Sequence, residues 1–310
     1  MKEYITQSAV LLCVYKRIDT TMKVFDVIKS VKPTRIYIAQ NYYKNLDERE
    51  DVFNLRKTLL SNINWECEVK TLFRDHYLNS KQSLISAITW FFENEEQGII
   101  LEDDCLPNMS FFRFCDENLK IYKDIEIIKM VSGWSALDFV PHTKESLKED
   151  YYFSKYNHIW GWASWSRVWK QYVSAFDDFE KEFNALDNWA NTKERNYWHK
   201  TFLMAKNGAV DSWDYYFTYS IWKHNGLCIY PKNNMVQNIG FNRDDATHTK
   251  GDSKFARMNV YELEFPLRIP SAIQQNKKLD WIAFKISYLP PNIFIRICKK
   301  ILKILKSTLK

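Results

Sequence analysis

Apolar and polar residues follow two distinct patterns in the first part of the chain. Residues 9–15 (AVLLCVY) form a continuous apolar run rich in strand formers, which is typical of a strand buried on both faces. Residues 19–30 then place apolar side chains at helical spacing before Pro33, and residues 35–39 (RIYIA) predict a second strand. The chain therefore begins with a strand, a helix and a strand.

The same alternation continues as far as the fourth predicted strand. A charged helical stretch is predicted at 46–61, a third strand near 67–73, a helix at about 81–94 and a fourth strand at 98–101. Strands and helices that alternate at this spacing indicate an α/β fold, in which a mostly parallel sheet is flanked by helices.

Polar segments follow each of these four strands. Ligands of parallel sheets bind at the carboxyl ends of the strands, so these segments are candidates for one binding site. They are Tyr15-Lys16-Arg17, Gln40-Asn41, Arg74-Asp75 and Glu102-Asp103-Asp104.

The second half of the chain has a different character. Residues 160–222 contain eight of the twelve tryptophans, with weak periodicity and mixed strand and helix patterns. Aromatic residues at this density form either plain core or the lining of a cleft for a flat ligand such as a sugar ring. No internal repeat or low-complexity linker divides the sequence, so we expect both halves to share one continuous sheet.

Composition places the chain among soluble globular proteins. Hydrophobic residues make up 46% and charged residues 26% of the 310 residues, which suffices for a large core. Only seven residues are glycine, so a collagen-like chain and a glycine-rich phosphate loop are poor hypotheses.

The net charge of +6 is concentrated at one end of the chain. Residues 291–310 carry six basic residues and no acidic one, which leaves 38 basic and 38 acidic residues in 1–290. A body without excess positive charge argues against nucleic-acid binding. Apolar residues in 291–310 recur at helical spacing, which predicts a basic amphipathic helix suited to an anionic membrane surface. A helix packed on the body, or a frayed end, is the alternative.

The cysteines and the N-terminus predict a cytoplasmic protein. The six cysteines are scattered, without a CxxC pair or a paired Cys/His spacing, so reduced thiols are expected. The apolar run near the N-terminus is too short for a signal peptide or a membrane span.

The sharpest chemical feature is the sequence IILEDDC at 99–105. Three consecutive acids after a buried strand repel one another and raise one another's pKa unless a cation compensates. Mg²⁺ or Mn²⁺, held by carboxylates and by substrate phosphates, would supply that compensation. The acidic run therefore predicts a site for a nucleotide diphosphate. A solvated acidic turn before Pro107 is the alternative.

Asp211 and Asp214 stand in a second candidate segment, DSWDYYF. A carboxylate among aromatic side chains has a raised pKa and suits a general base. A helix N-terminus capped by Asp211 or Ser212 explains the same residues, and both interpretations can hold together.

A third candidate segment, GFNRDDATHT, covers residues 240–249. His248 is a candidate metal or phosphate contact and Arg243 a candidate phosphate contact, although a lone histidine is more often an ordinary polar residue. In the segment HIWGWASW, the glycine at 161 permits close packing or the approach of a ligand.

Taken in this order, the segments resemble GT-A-fold glycosyltransferases. The similar group is the bacterial hemolytic-protein-like family of nucleotide-diphospho-sugar transferases, and the resemblance covers about residues 9–250. The order of motifs is also similar to that of the inverting N-acetylglucosaminyltransferase that starts complex N-glycans. The segments that carry the resemblance are LLCVYKR at 11–17, and the segments at 78–115, 151–170 and 211–249.

The resemblance implies a metal-dependent inverting transfer from a nucleotide-diphospho-sugar, with UDP as the nucleotide. Asp104 would bind Mn²⁺ or Mg²⁺, and His248 matches a late histidine of the family in type. Asp214, or else Asp211, would be the catalytic base. The animal enzyme has a second acid after its Trp-Asp pair, where this chain has Tyr215, which leaves the choice of base open.

Further residues would hold the sugar-nucleotide according to the same resemblance. Glu102 and Asp103 would contact the ribose and the sugar-nucleotide. The others contact the base, the phosphates or the nucleotide from the strand and helix ends, and they are Tyr15, Arg17, Gln40, Asn79 and Lys81.

The resemblance also predicts an organisation and a setting. Residues 1–105 would form the nucleotide-sugar-binding half of one GT-A domain, 106–270 its acceptor-binding and catalytic half, and 271–310 an extension with the basic helix. The acceptor would be a bacterial surface glycan or glycolipid, reached at the inner face of the cytoplasmic membrane. A nucleotidyltransferase or metal-dependent hydrolase, and a non-catalytic sugar-binding or haemolysis-associated protein, are the alternative functions.

Overall fold

Ten strands and ten α-helices form the part of the chain that the computed structural model describes, residues 4–243, 245 and 253–289. The strands are β1 (Ala9–Val14), β2 (Arg35–Gln40), β3 (Glu68–Phe73), β4 (Gln97–Glu102), β5 (Cys105–Pro107), β6 (Ile128–Ser132), β7 (Tyr151–Ser154), β8 (Trp162–Trp165), β9 (Leu227–Pro231) and β10 (Val236–Asn238). The helices are α1 (Ile18–Val31), α2 (Arg49–Asn62), α3 (Ser80–Asn94), α4 (Met109–Ile121), α5 (Pro141–Ser146), α6 (Ser166–Trp169), α7 (Phe179–Ala185), α8 (Thr192–Lys206), α9 (Trp213–Lys223) and α10 (Lys277–Ser287).

Eight strands form one sheet in the order β3-β2-β1-β4-β8-β6-β9-β7. The four strands from β3 to β4 are parallel, β8 runs antiparallel to both of its neighbours, and β9 is parallel to β6. Strands β5 and β10 pair separately and antiparallel. The structure therefore confirms the predicted α/β fold with a mostly parallel sheet, which contains strands from both halves of the chain.

Local sequence explains where several elements begin and end. All six residues of β1 are buried, as its continuous apolar run predicts, and β1 lies between β2 and β4. Asn79 caps α3 by accepting a hydrogen bond from the Gln82 N–H at 2.8 Å. Lys32 adopts the left-handed conformation (φ 43°) directly after α1, and Pro33 follows it.

The strand register brings the predicted polar segments to one edge of the sheet. Cys13 pairs with Ala39 on one side and with Glu102 on the other, so β1, β2 and β4 end at the same level. Strand β8 runs the opposite way, with Trp162 opposite Ile100. Its amino end therefore lies at the same edge as the carboxyl end of β4.

Most of the tryptophans in residues 160–222 belong to the core. Trp160 and Trp189 are partly exposed, whereas six are buried: Trp162, Trp165, Trp169, Trp198, Trp213 and Trp222. Of the two interpretations of this aromatic density, plain core applies to these six.

A buried charge network links α10 to the body of the protein. Lys155 forms an ion pair with Glu194 at 3.1 Å, and both side chains are almost fully buried. Asp280 of α10 accepts hydrogen bonds from the Ser154 hydroxyl at 2.5 Å and from the Gln275 amide at 2.7 Å. These residues join the end of β7 to α8 and α10.

Two of the predictions made from the sequence are not tested by these strands and helices. The predicted basic amphipathic helix at 291–310 lies outside the described residues. The division at residues 105 and 270 stays a prediction. None of the helices in the described ranges is long and apolar enough to cross a membrane.

Candidate functional site

The acidic turn, Glu102-Asp103-Asp104, connects β4 to β5 at the carboxyl edge of the sheet. Glu102 is the last residue of β4, and Asp103 and Asp104 form the turn. The backbone N–H of Ile239, just after β10, donates to the Asp104 carbonyl at 2.8 Å. The short β5 and β10 pairing therefore holds the turn in place from one side.

Gly240 allows the chain to pass directly against the Asp104 carboxylate. A Cβ atom at this position would lie 2.2 Å from Asp104 Oδ2, closer than real contacts allow. The side-chain amide of Asn238 approaches Asp104 Oδ1 at 3.4 Å, and its oxygen accepts from the Gly240 N–H at 2.9 Å. Sequence reasoning missed the support that Asn238 and Gly240 give to Asp104, because 134 residues separate Asn238 from Asp104.

Arg17 is the basic residue that contacts the acidic turn. Its Nη1 atom lies 3.3 Å from Asp104 Oδ2 and 3.8 Å from Asp103 Oδ1. Its other nitrogens contact Asp245, with Nη2 donating to the carbonyl at 2.7 Å and Nε lying 3.3 Å from the carboxylate. Asp245 is also paired with Arg243, at 2.8 Å. The predicted contact residue Arg17 therefore does lie at the acidic turn.

Burial and mutual repulsion raise the pKa of the acids in the turn. The pKa of Asp103 is raised to about 7, first by burial and then by the charge of Asp104, while Arg17 opposes the shift. Burial raises the pKa of Asp104 as well. Burial also raises the pKa of Glu102 well above its ordinary range, and the charges of Asp104, Asp103 and Asp214 add to the effect. Among the described residues, the guanidinium of Arg17 contacts these carboxylates and does not compensate their combined charge, which suits an additional cation.

Asp214 lies in the first turn of α9 and close to this charge cluster. Its charge contributes to the raised pKa of Glu102, so its carboxylate lies within electrostatic range of the turn. The Ser212 hydroxyl donates to its carboxylate. Trp213, next in the chain, is buried, with its ring centroid 5.9 Å from that of Trp162 in β8. Core packing of Trp213 therefore fixes the position of the acid that follows it.

Asp211 has a different environment. Its side chain is 62% exposed and pairs with Lys81 Nζ at 3.3 Å. The Lys81 ammonium also lies over the ring of Tyr216, 4.1 Å from its centroid. Of the two candidate bases, Asp214 acts electrostatically on the acidic turn, and Asp211 belongs to an exposed ion pair with Lys81 at the start of α3.

Three residues that are predicted to contact the nucleotide form hydrogen bonds within the protein, and they are Tyr15, Gln40 and Asn79. Tyr15 donates to Glu48, and its backbone N–H bonds to the Asp103 carboxylate. Gln40 is buried, and its amide donates to the Val52 carbonyl at 2.7 Å. Asn79 is exposed and acts as the cap of α3. Their contact with a nucleotide stays a prediction.

The described residues contain only part of the predicted metal site. His248 lies outside them, so its role stays a prediction. No group of three or more His, Cys, Asp and Glu residues that could hold a metal occurs in the part of the chain that the structure describes. Carboxylate oxygens are nevertheless the ligands that Mg²⁺ and Mn²⁺ prefer. The acidic turn does not form a closed protein cage, and Asp104 as the ligand of a cation shared with phosphate oxygens stays a prediction.

Two comparisons by sequence found no match for this chain. No protein-family model matches it. No curated protein matches it either.

Solved structures give weak structural similarities. GalNAc-T7 with UDP, GalNAc and Mn²⁺ aligns over 73% of this chain and 43% of its own length, at 12% identity and a TM-score of 0.43. HddC from Yersinia pseudotuberculosis aligns over 54% of this chain and 80% of its own, at 9% identity and a TM-score of 0.32. UTP-bound UGPase from Acinetobacter baumannii aligns over 55% of this chain and 78% of its own, at 9% identity and a TM-score of 0.31. Since these TM-scores are low, the function has to be inferred from the site itself.

Proposed function

We propose that this chain is a metal-dependent inverting glycosyltransferase. It transfers a sugar from a nucleotide-diphospho-sugar, in the first place a UDP-sugar, to a hydroxyl group of a glycan or glycolipid acceptor. The observation that carries the proposal is the meeting of three elements at one edge of the sheet. These are the acidic turn, the Arg17 guanidinium at 3.3 Å from Asp104, and the Asp214 carboxylate whose charge acts on Glu102.

The charges of the site suit a diphosphate and a divalent cation together. The carboxylates of the turn are under-compensated by Arg17 alone, as their raised pKa values indicate. A bound Mn²⁺ or Mg²⁺ would neutralise negative charge on the diphosphate leaving group. Arg17 can then exchange part of its contact with Asp104 for a phosphate oxygen. Asp103 and Glu102 are left to accept hydrogen bonds from sugar or ribose hydroxyls.

The transfer itself needs one base and no covalent sugar-enzyme intermediate. Asp214 takes the proton of the acceptor hydroxyl, and the oxygen attacks the anomeric carbon from the face opposite the diphosphate. The bond between the anomeric carbon and the diphosphate oxygen breaks, and the nucleoside diphosphate leaves with the electron pair. The configuration of the sugar is thereby inverted. The ion pair of Asp211 with Lys81 supports Asp214 as the base.

Binding is the first test. Mn²⁺ together with UDP-glucose, UDP-galactose or UDP-N-acetylglucosamine should raise the melting temperature of the full chain more than either component alone, because ligands of the folded state stabilise it. If no nucleotide-sugar in a wider panel of UDP-, GDP- and dTDP-sugars stabilises the protein, the proposal is wrong. Release of pyrophosphate from UTP and a sugar 1-phosphate would instead identify a nucleotidyltransferase.

Turnover is the second test, with a matched pair of variants. Asp214→Asn should lower sugar transfer, and the slow release of UDP from the donor, by about 1,000-fold, within the range of general-base catalysis. Binding of the donor should be preserved. Asp211→Asn, the control, should retain most of the activity. Near-normal turnover of Asp214→Asn would remove Asp214 from the mechanism.

The setting of the reaction is a further part of the proposal. A bacterial surface-glycan acceptor, such as lipopolysaccharide or a lipid-linked oligosaccharide, would be reached at the inner face of the cytoplasmic membrane. The support is the basic amphipathic pattern of residues 291–310. Binding of the full chain to anionic vesicles, compared with a chain that ends at residue 290, tests this part.

A further inference from the structure

A group of aromatic rings lies beside the acidic turn and takes no part in the reaction described above. The Trp160 ring packs edge-on against Phe241, with centroids 5.6 Å apart, and against His158 at 4.8 Å. His158 in turn stacks on Trp134 at 3.8 Å. Trp134 is buried, whereas Trp160 and Phe241 are partly exposed. We call these four residues the aromatic cluster.

Two independent features of the backbone connect the cluster to the acidic turn. Gly161, the residue directly after Trp160, lies against Leu101, the residue directly before Glu102, because a Cβ atom on Gly161 would lie 3.3 Å from a methyl group of Leu101. Phe241 directly follows Gly240, the residue that passes against the Asp104 carboxylate. The two partly exposed rings therefore come from different segments and meet next to the same turn.

The backbone that carries Trp160 is held in one position. Gly161 has a left-handed conformation (φ 66°), and a Cβ atom there would lie 2.8 Å from a methyl group of Val236 in β10. The Gly161 carbonyl accepts a hydrogen bond from the Gly133 N–H at 2.8 Å. The end of β6 and the start of β10 thus fix the position of Trp160 before any ligand binds.

The cluster is apolar in character and uncharged. Burial lowers the pKa of His158 to about 3, so its imidazole is neutral at physiological pH. Aromatic faces next to carboxylates match a pyranose ring, which has an apolar face of C–H groups and hydroxyl groups around its edge. The neighbouring carboxylates can accept hydrogen bonds from those hydroxyls.

We propose that Trp160 and Phe241 bind the sugar ring of the nucleotide-diphospho-sugar donor and thereby select the sugar that is transferred. This inference rests on the proposed function, because a ring joined to a diphosphate at Asp104 reaches only groups next to the acidic turn. The acceptor sugar is not confined in this way. The cluster therefore belongs to the donor side of the site.

The test compares the affinity for a nucleotide-sugar with the affinity for the nucleotide alone. Titration calorimetry with Mn²⁺ gives the Kd of UDP and of the UDP-sugar that binds the unmodified protein best. Trp160→Leu and Phe241→Leu should each weaken UDP-sugar binding by about tenfold, as expected for the loss of an apolar contact, and leave the Kd of UDP unchanged. Trp160→Phe, which keeps an aromatic ring, should retain most of the affinity.

A matched control and the contrary outcomes complete the design. Trp281→Leu removes a partly exposed tryptophan from α10, a helix that contacts the edge strand β7. This substitution should change neither Kd. Equal weakening of UDP and UDP-sugar, or no change in either, would overturn the inference while leaving the proposed function intact. If the unmodified protein binds no nucleotide or nucleotide-sugar, both the proposed function and this inference are wrong.

Discussion

Two buried groups of charged residues in this molecule are built in opposite ways. In the buried charge network, each acid is matched: Glu194 accepts from Lys155 at 3.1 Å and from the Ala190 N–H at 2.7 Å, and Asp280 accepts from Gln275 at 2.7 Å. In the acidic turn, the contacts of Arg17 are longer and reach two of the three carboxylates, Asp104 at 3.3 Å and Asp103 at 3.8 Å.

The difference indicates what each group is for. A buried ion pair with all its hydrogen bonds formed holds elements together, and breaking it leaves an uncompensated charge. A cluster with excess like charge destabilises the ligand-free protein and is stabilised when a cation binds. The first group therefore supports the fold, and the second suits the cation that we propose.

The largest expected effect is on the free energy of unfolding, and it concerns the buried charge network. Lys155→Met leaves the buried Glu194 without its cation and should lower the free energy of unfolding by about 4 kcal/mol. The double variant Lys155→Met/Glu194→Gln should recover much of this loss. Urea denaturation followed by circular dichroism measures both. A loss below about 1 kcal/mol in the single variant would show that the network does not support the fold.

The second prediction concerns ligand binding by the acidic turn, with no effect on folding stability. Asp104→Asn should weaken Mn²⁺-dependent binding of a UDP-sugar by about 100-fold, or about 2.7 kcal/mol, without loss of folding stability. Calorimetry with the full chain measures the first and thermal melting the second. Asp211→Asn, which changes an exposed acid, serves as control. Unchanged affinity of Asp104→Asn would exclude Asp104 as a metal ligand.

A pH dependence follows from the buried network. Burial raises the pKa of Asp280 to about 6, above its unfolded value of 3.8. The folded protein then keeps a proton that the unfolded chain loses, so the contribution to stability is complete below pH 4 and is lost as the pH rises through 6. The difference should be about 3 kcal/mol across this window. Urea denaturation at a series of pH values should show a flatter curve for Asp280→Asn.

The smallest expected effect has the opposite sign from the first. The pKa of Asp103 is raised to about 7, so its carboxylate opposes folding at pH 8 in the absence of a cation. Asp103→Asn removes this penalty but also weakens the contact with Arg17 and the hydrogen bond from the Tyr15 N–H, so the ligand-free protein should be stabilised by a net amount of about 1 kcal/mol at pH 8. Thermal melting with and without Mn²⁺ measures the effect. Destabilisation would mean that the acidic turn resembles the buried network after all.

Sequence patterns located the first half of the fold closely because its elements have regular periodicity. The predicted strand at 98–101 corresponds to β4, and the predicted helix at 81–94 to α3. The helix predicted at 46–61 differs in its first turn, which is a 3₁₀ helix over Leu46–Glu48 before α2. Asn45 and Glu48 explain this, since the Glu48 N–H bonds back to Asn45.

The site was only partly predictable, because its closest contacts join distant segments. The three acids and Arg17 stand out at strand ends, where local pattern and fold class together indicate a ligand site. The environments that distinguish Asp214 from Asp211 depend on tertiary packing, including the contact of Trp213 with Trp162. Likewise, nothing in the local sequence shows that Gly240 passes against Asp104.

The pairing of β5 with β10 has a consequence for the order in which the protein is made. Cys105 pairs with Asn238, so the strand that supports the acidic turn is synthesised long after the turn itself. Until β10 emerges, Asp104 lacks the contacts from Asn238, Ile239 and Gly240. Closing so long a loop is an entropically unfavourable and late step of folding. A nascent chain should therefore complete the acidic turn only after residues 238–240 have been synthesised.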